Sequence, residues 1–369
     1  MRPNRAIASI TGRGPISADE FEAGEIEAGG KAGLLSRPQS SGSGVLAILA
    51  VSLCCGCATT TPTAQERVWP EPPARARIKY VRSIYGAEEF RRSLFGRLLP
   101  APSAARIKKP YGVFADGKGR LYIADTARGL VMVLDYEEEK AFFIGARRDQ
   151  GRLVKPVSVV AGSDERIYVT DVFQKRVVVY DRDGKFVLAI GRQGEFERPT
   201  GIALNEERGL IYVSDTPRHV VKVYDLEGNF RFEFRGAIER KIAFHHPTNI
   251  WIDERGQVYI TDSMNFRVMV FDADGRYLKK LGKIGVLPGM FARPKGVAVD
   301  YDGNIYVVDA MFHNVQVFDQ QGQVLLVFGE HGDHPGGFWL PAGICIDKNG
   351  VIYVSDSFNH RIQVFQYIP

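Results

Sequence analysis

Six segments of the chain begin alike, and this repetition constrains the fold more than any other feature of the sequence. Each segment opens with a proline, as in PYGVFADGKGRLYIAD from residue 110 and PKGVAVDYDGNIYVVD from residue 294. The six prolines are Pro110, Pro156, Pro199, Pro247, Pro294 and Pro341, separated by 46, 43, 48, 47 and 47 residues. This regular spacing predicts six copies of one structural unit.

Each segment contains short apolar runs rich in Val, Ile, Tyr and Phe, bounded by turns that contain Asp, Asn and Gly. Runs of this composition predict β-strands joined by tight turns. All segments but the last hold four runs, and four antiparallel strands in about 45 residues describe one blade of a β-propeller. The predicted fold class is therefore all-β: a six-bladed β-propeller of four-stranded antiparallel blades, over residues 77–369.

The sixth segment ends after its third run, RIQVFQYIP, so the last blade lacks an outer strand. An unpaired strand edge would favour association with other chains. The run ARIKYVRSIYG, residues 76–86, reads as an isolated strand upstream of the first segment. We expect residues 78–85 of this N-terminal run to become the outer strand of the last blade and thereby close the ring.

The segments resemble NHL repeats. The last contains SDSFNHRIQVFQ, with Asn359, His360 and Arg361 in succession, and most segments begin with a Pro-x-Gly-Val/Ile pattern. WD40 repeats fit less well because no segment ends in Trp-Asp, and YWTD repeats fit less well because the tryptophan is absent. The resemblance extends over about residues 76–369 and implies the same propeller fold.

A different pattern marks residues 43–57. The apolar run VLAILAVSL, residues 45–53, is too short to span a bilayer as a helix but is typical of a signal-peptide core. The cysteines that follow resemble a bacterial lipoprotein signal, in which Cys57 would be lipidated and Cys55 is the alternative. A zinc or disulfide cluster is the competing interpretation, but no second Cys/His pair stands at zinc-finger spacing.

The flanking segments predict no fold of their own. Residues 1–42 show no apolar periodicity and are predicted to be either a disordered leader or the result of a start codon placed too far upstream. In the second case, translation would begin near residue 34 or 35. Residues 58–76 are predicted to be a flexible tether stiffened by prolines. Because no aspartate follows Cys57, the lipoprotein resemblance implies an anchor in the outer membrane and a propeller that faces the periplasm.

Propeller topology places two sets of loops on one face, which we call the variable face: the loop before each proline and the loop after each second strand. The residues before the prolines are mostly cationic and form a candidate anion site: Lys109, Lys155, Arg198, His246, Arg293 and Leu340. The alternative is that they pair with the aspartates that end the second strands. These aspartates are Asp125, Asp171, Asp215, Asp262, Asp309 and Asp356. Since every blade has one, we expect each to accept main-chain N–H groups in its turn.

The variable face also carries large apolar residues in the loops after the second strands: Phe173, Met264, Phe266, Met311, Phe312 and Phe358. Such a patch predicts a surface for a protein, peptide or glycan partner, and packing between loops is the alternative. The segment AEEFRRSLFGRLL, residues 87–99, has apolar residues at helical spacing. It predicts a short helix that caps this face or docks on a partner or a membrane surface.

Three histidines stand four residues after a blade aspartate: His219, His313 and His360. Three imidazoles with an open coordination position suit a zinc ion. The run DAMFHNVQVF resembles the local pattern of the peptide-amidating lyase, an NHL-type propeller. That resemblance implies a histidine-lined central site for a metal-dependent lyase or hydrolase. The alternative is that these histidines pack against the neighbouring blade without a metal.

The net charge of +5 is modest and forms no concentrated basic stripe, so nucleic-acid binding is not expected. Cys345, within the inner strand AGICID, is predicted to be buried and inert. The favoured hypothesis is a monomeric, non-catalytic binding or scaffold lipoprotein held to the membrane by its lipid. It needs no cofactor, with zinc or calcium left as alternatives.

Replacing Cys57 with serine is expected to abolish lipid attachment, because the lipid is carried by the cysteine thiol. Metabolic labelling with a fatty-acid analogue, read by gel mobility, measures the effect. The control variant Cys55→Ser should label normally; loss of label in Cys55→Ser instead of Cys57→Ser would move the anchor to Cys55.

Overall fold

The computed structural model describes residues 67–90, 106–237 and 242–368. In these residues the chain forms six antiparallel sheets, and the first strand of each sheet contacts the first strands of its two neighbours around a ring. The predicted six-bladed β-propeller is therefore confirmed. None of the helices in the described part of the chain is long and apolar enough to cross a membrane.

The strands of each blade are given from the centre of the ring outward. Blade 1 consists of Pro110–Ala115, Arg120–Asp125, Leu130–Asp135 and Lys140–Ile144. Blade 2 consists of Pro156–Ala161, Ile167–Asp171, Arg176–Tyr180 and Phe186–Ile190. Blade 3 consists of Pro199–Asn205, Leu210–Asp215, Val220–Asp225 and Phe230–Phe234.

The second half of the ring repeats this order. Blade 4 consists of Pro247–Ile252, Val258–Asp262, Arg267–Phe271 and Tyr277–Leu281. Blade 5 consists of Pro294–Val299, Ile305–Asp309, Asn314–Phe318 and Val324–Phe328. Blade 6 consists of Ile344–Ile346, Val351–Asp356, Arg361–Tyr367, Ile78–Ile84 and Val68–Trp69.

Short elements occupy the loops between these strands. Two small sheets pair Gly236–Ala237 with Ile242–Ala243 and Glu330–His331 with Gly337–Phe338. Four short 3₁₀ helices are Ala87–Phe90, Thr216–Arg218, Ser263–Asn265 and Ser357–Asn359.

The core lies between the blades. The third strand of blade 1, LVMVLD, is buried at all six positions, whereas the outer strand of blade 2, FVLAI, alternates between partly buried and exposed residues. A strand that is covered by a neighbouring blade on both sides has no solvent face, so it stays apolar throughout instead of alternating. The most continuous Val- and Ile-rich runs of the sequence are therefore the second and third strands of the blades.

The predicted ring closure is also confirmed. Ile78–Ile84 pairs antiparallel with Arg361–Tyr367, from Ile78 opposite Tyr367 to Ile84 opposite Ile362. Ile78 is 1% exposed and Ile84 is fully buried, so the closing strand contributes to the core as well as to the hydrogen-bond ladder. Both ends of the chain thus meet in blade 6.

The structure differs from the predicted tether at Val68–Trp69, which forms a fifth strand on the edge of blade 6 opposite Lys79 and Ile78. The Trp69 ring lies 5.9 Å from that of Phe328 and 5.8 Å from that of Phe365. Burying an indole on two aromatic rings outweighs the entropy of ordering this short segment. The end of the predicted 58–76 tether therefore belongs to the propeller.

A buried aspartate at the end of each second strand fixes the loop that leads into the first strand. In blade 5, Asp309 accepts hydrogen bonds from the main-chain N–H groups of Ala292 at 2.7 Å and Arg293 at 3.1 Å, and from those of Met311 and Phe312. All six blade aspartates are 0% exposed: Asp125, Asp171, Asp215, Asp262, Asp309 and Asp356. The expected structural role of these carboxylates is confirmed.

Trp69→Ala is expected to lower the free energy of unfolding by about 2 kcal/mol, because the half-buried indole leaves a gap against two aromatic rings. Urea unfolding followed by circular dichroism measures the loss. The control is Trp339→Ala, since Trp339 is 48% exposed on the variable face and should cost clearly less. Equal losses in the two variants would contradict a stabilising role for the fifth strand.

Asp309→Asn is expected to cost about 3 kcal/mol, because an amide group replaces one acceptor oxygen by a donor that faces a main-chain N–H. The same unfolding measurement applies. Asp302→Asn, at an exposed turn on the opposite face, should leave the unfolding midpoint unchanged. An unchanged midpoint in Asp309→Asn would show that the carboxylate is dispensable.

Candidate functional site

The loops after the second strands share one unusual backbone feature. The residue just before each third strand has a left-handed conformation, with φ between 54° and 65°: Gly129, Lys175, His219, Phe266, His313 and His360. Three of these six positions are the histidines that the sequence analysis considered as metal ligands. Their position is thus set by a turn that every blade repeats.

Each of the three histidines contacts the blade that follows it. His219 accepts the main-chain N–H of His246 at Nδ1, and His313 accepts that of Leu340, both at 3.1 Å. The Nδ1 atom of His360 contacts the carbonyl oxygen of Lys108 in blade 1. The geometry is that of links between neighbouring blades, which was the alternative to a metal site.

The predicted metal set of His219, His313 and His360 is therefore wrong as a group. Each ring faces the gap between a different pair of blades, so the three imidazoles do not converge on one ion. Across the described residues, one group of three His, Cys, Asp or Glu side chains could share an ion, and it combines His219 with His245 and His246.

Burial lowers the pKa of His219, and the neighbouring His245 imidazole lowers it further. Burial likewise lowers the pKa of His313, whose ring lies 4.7 Å from that of His331. Both rings are thus neutral at neutral pH. A neutral ring is required here, because an imidazolium has no lone pair at Nδ1 to accept a main-chain N–H.

The residues before the prolines contact the blade aspartates through the main chain. The amides of Lys109, Lys155, Arg198 and Arg293 donate to the aspartate of their own blade. The Lys109 ammonium lies 5.1 Å from the centre of the Phe358 ring, and the Lys155 side chain is exposed on the variable face.

Four arginines come close to the blade aspartates instead: Arg128, Arg218, Arg267 and Arg361, at 3.6, 3.7, 2.8 and 2.8 Å. These pairs were not predicted from the sequence. The arginine that recurs in or just after the left-handed turn, as in the Asn359-His360-Arg361 run, is the sequence pattern from which they could have been predicted.

The predicted apolar patch is present in part. Phe358 is 40% exposed, whereas Phe266 and Phe312 are half-buried, and Phe266 packs against the core between blades 4 and 5. The predicted Phe173 is 70% exposed, and Met264 and Met311 are exposed as well. One loop with exposed apolar residues was missed: Val286 is 82% exposed, and Ile284 and Leu287 stand beside it. Their signal was the run KIGVLPG, where apolar residues stand in a proline- and glycine-containing turn rather than a strand.

Part of the predicted cap lies within the described residues. Ala87–Phe90 forms a 3₁₀ helix, and the Phe90 ring lies 5.3 Å from that of Tyr136 on blade 1. Tyr136 follows the third strand at the turn on the opposite face, so this part of the segment packs against the side of the ring and not across the variable face as predicted. Residues 91–99 of the predicted cap helix lie outside the described residues. So do the leader, the signal peptide with Cys57, and the tether up to residue 66, and all of these stay predictions.

The central cavity has a volume of about 120 Å³, room for a few water molecules. The first strands of all six blades line it, represented by Val113, Val159, Ala203, Trp251, Val297 and Ile344. Apart from Ser158 and Asn249, the side chains along it are apolar, and none of the described lining residues is a histidine. The expected histidine-lined central site is therefore not formed: the candidate histidines lie on the variable face, away from the inner strands.

A cavity of about 370 Å³ opens on the opposite face between blades 1 and 2 and reaches Glu206 of blade 3. Four of its nine charged side chains form two ion pairs, Arg120 with Asp135 at 2.8 Å and Arg182 with Glu165 at 2.9 Å. Cys345 is 1% exposed in the core, and burial raises the pKa of its thiol to about 12. The thiol is thus not a nucleophile at neutral pH, as predicted.

Comparisons with known proteins agree with this architecture. The family described as 6-bladed beta-propeller matches residues 148–252 and 240–315, and the NHL repeat family matches residues 338–365. The protein brain tumor of Drosophila melanogaster is 33% identical over 58 residues, which is 16% of this chain and 6% of that protein. The match thus spans a small part of that relative's length.

Solved structures of low sequence identity share the fold. A protein of unknown function from Bacteroides thetaiotaomicron is 18% identical with a TM-score of 0.58, over 72% of this chain and 70% of that one. Virginiamycin B lyase from Staphylococcus aureus is 14% identical with a TM-score of 0.54, over 79% of this chain and all of that one. Together, the six blades, the closing strand and the matched repeats show that the chain belongs to the NHL-repeat six-bladed β-propellers.

Proposed function

We propose that this chain is a membrane-anchored periplasmic lipoprotein whose variable face binds a protein, peptide or glycan partner. The observation that carries the proposal is the one-sided distribution of exposed apolar side chains. Of the sixteen large apolar residues that are exposed in the described part of the chain, ten lie on loops of the variable face and only Tyr301 lies on the opposite face. The ten are Tyr85, Val154, Phe173, Met264, Ile284, Val286, Leu287, Met311, Trp339 and Phe358.

When a partner covers apolar side chains on a solvent-exposed loop face, their removal from water lowers the free energy of the complex. Val286, Leu287 and Trp339 are 82%, 60% and 48% exposed, so a partner that covered them would bury most of their surface. Aromatic residues such as Trp339 and Phe358, whose rings lie 5.8 Å apart, are also the residue types that contribute most to interface affinity.

Charge divides the same face into two sectors. The loops around blades 1 to 3 expose many cationic side chains, among them Lys108, Arg147, Arg148, Arg152, Lys155, Lys175 and Arg192. The loops of blades 4 to 6 expose most of the apolar side chains. A partner that places acidic groups beside an apolar segment would match both sectors.

The central cavity on the ring axis is narrow and apolar, so we expect the partner to bind to the loops and not inside the ring. At about 120 Å³ it is smaller than the 300–1,000 Å³ range of ordinary ligand pockets. A lipid on Cys57 would keep Arg67, the first described residue, within about 36 Å of the membrane surface. The variable face would then meet partners that are themselves in the envelope.

A photo-crosslinking side chain at Val286 tests the proposal in the intact cell envelope. We expect one discrete adduct from this position and none from the control position Tyr301, which is 77% exposed on the opposite face. Lys155→Glu should reduce the adduct at Val286 if both sectors contact one partner. The same adducts from both faces, or no adduct at Val286, would contradict a binding role for the variable face.

A further inference from the structure

Three histidines from two neighbouring blades meet on the variable face between blades 3 and 4. His219 ends the turn after the second strand of blade 3, and His245 and His246 precede Pro247 at the entry to blade 4. The ring centres lie 4.8 Å apart for His219 and His246, 4.9 Å for His245 and His246, and 5.3 Å for His219 and His245. One ligand nitrogen from each ring lies within 4.8 Å of those of the others.

The main chain holds this cluster in place without a metal ion. The amide of His245 donates to Asp262 at 2.6 Å, and the amide of His246 donates to Nδ1 of His219 at 3.1 Å. His246 adopts a left-handed conformation with φ of 59°, although it precedes a proline. A non-glycine residue in this conformation is held by its surroundings, as is Leu340 at the equivalent position of blade 6. The three rings are therefore brought together by the fold itself.

The chemistry of the rings suits a cation. A neutral imidazole offers a nitrogen lone pair to a metal ion and is the commonest metal ligand in proteins. His245 is exposed, which gives an ion access from solvent. Zinc–nitrogen bonds are about 2.0–2.1 Å long, so small side-chain rotations close the present spacing onto one ion.

Binding has one identifiable cost. Because Nδ1 of His219 accepts a main-chain N–H, the neutral ring carries its proton on Nε2. An ion at Nδ1 replaces this hydrogen bond, whereas an ion at Nε2 displaces the proton. His219 is thus the weakest expected ligand of the three, and His245 and His246 contribute most.

We propose that His219, His245 and His246 form a site for a divalent transition-metal ion such as zinc or copper. Three protein ligands leave a coordination position open to water or to a side chain of a docked partner. Imidazole suits both ions, and the Irving–Williams order favours copper(II) over zinc at such a site. The site differs from the predicted one in two of its three histidines and in its position, and it does not depend on the proposed function of the variable face.

The chain provides a matched control at the gap between blades 5 and 6. His313 accepts the amide of Leu340, as His219 accepts that of His246, and a second imidazole, that of His331, lies 4.7 Å away. This pair is not part of the group of three ligands that the described residues contain. His331→Ala therefore removes an exposed loop histidine in the same structural setting without touching the proposed site.

The test is a titration of the full-length chain, purified without chelator, with zinc chloride in an isothermal calorimeter. We expect one equivalent per chain, a loss of affinity of at least tenfold in His245→Ala, and a change of less than twofold in His331→Ala. Unfolding midpoints of the variants should match the parent, which separates loss of a ligand from loss of the fold.

Copper(II) gives a second, independent readout. Nitrogen couplings in its electron paramagnetic resonance spectrum should be present in the parent and in His331→Ala and reduced in both His245→Ala and His246→Ala. Equal zinc affinity in His245→Ala and the parent, or an equal loss in His331→Ala, would overturn the proposal. So would a parent chain that binds no zinc at millimolar concentration.

Discussion

The pairing of Ile78–Ile84 with Arg361–Tyr367 is the interaction on which the rest of the structure depends. Each blade is buried against a neighbour on both faces, so a blade at an open end would expose one apolar face to water. Closing the ring with a strand from the other end of the chain removes both open ends at once. Trp69 extends this closure by a fifth strand, which covers the aromatic edge formed by Phe328 and Phe365.

Within the closed ring, one recurring hydrogen-bond arrangement holds the loops of the variable face in place. In blades 1, 2, 3 and 5, both amides that precede the proline donate to the buried aspartate of their own blade. In blades 4 and 6, the second amide turns away and donates to a histidine of the preceding blade. The residue before the proline, His246 or Leu340, becomes left-handed at these two positions. The two histidines are thus structural links first, and at one of them a further pair of imidazoles creates a site with metal-binding chemistry.

The cationic and the apolar sectors of the variable face are possible because other groups hold the loops in place. The aspartate turns and the histidine links hold the main chain of the loops, so the exposed loop side chains are not needed for this purpose. Exposed arginines and lysines around blades 1 to 3 and exposed aliphatic and aromatic residues around blades 4 to 6 are thus available for recognition. The narrow central cavity offers no comparable surface.

The sequence by itself determined the fold because the propeller consists of six copies of one unit, and each copy is recognisable from its own residues. The proline spacing, the buried Val- and Ile-rich runs and the missing last strand predict six blades and their closure, since each is a local pattern that recurs. It did not determine Trp69, a single aromatic in a proline-rich stretch whose partners lie more than 250 residues away. Nor did it determine which histidines meet. His219, His313 and His360 occupy the same position in different blades. Equivalent positions are distributed around the ring, so their side chains meet only if they point towards the ring axis. The tertiary structure brings His219 to His245 and His246 because the turn of one blade lies beside the entry loop of the next, a contact that no offset within a single repeat encodes.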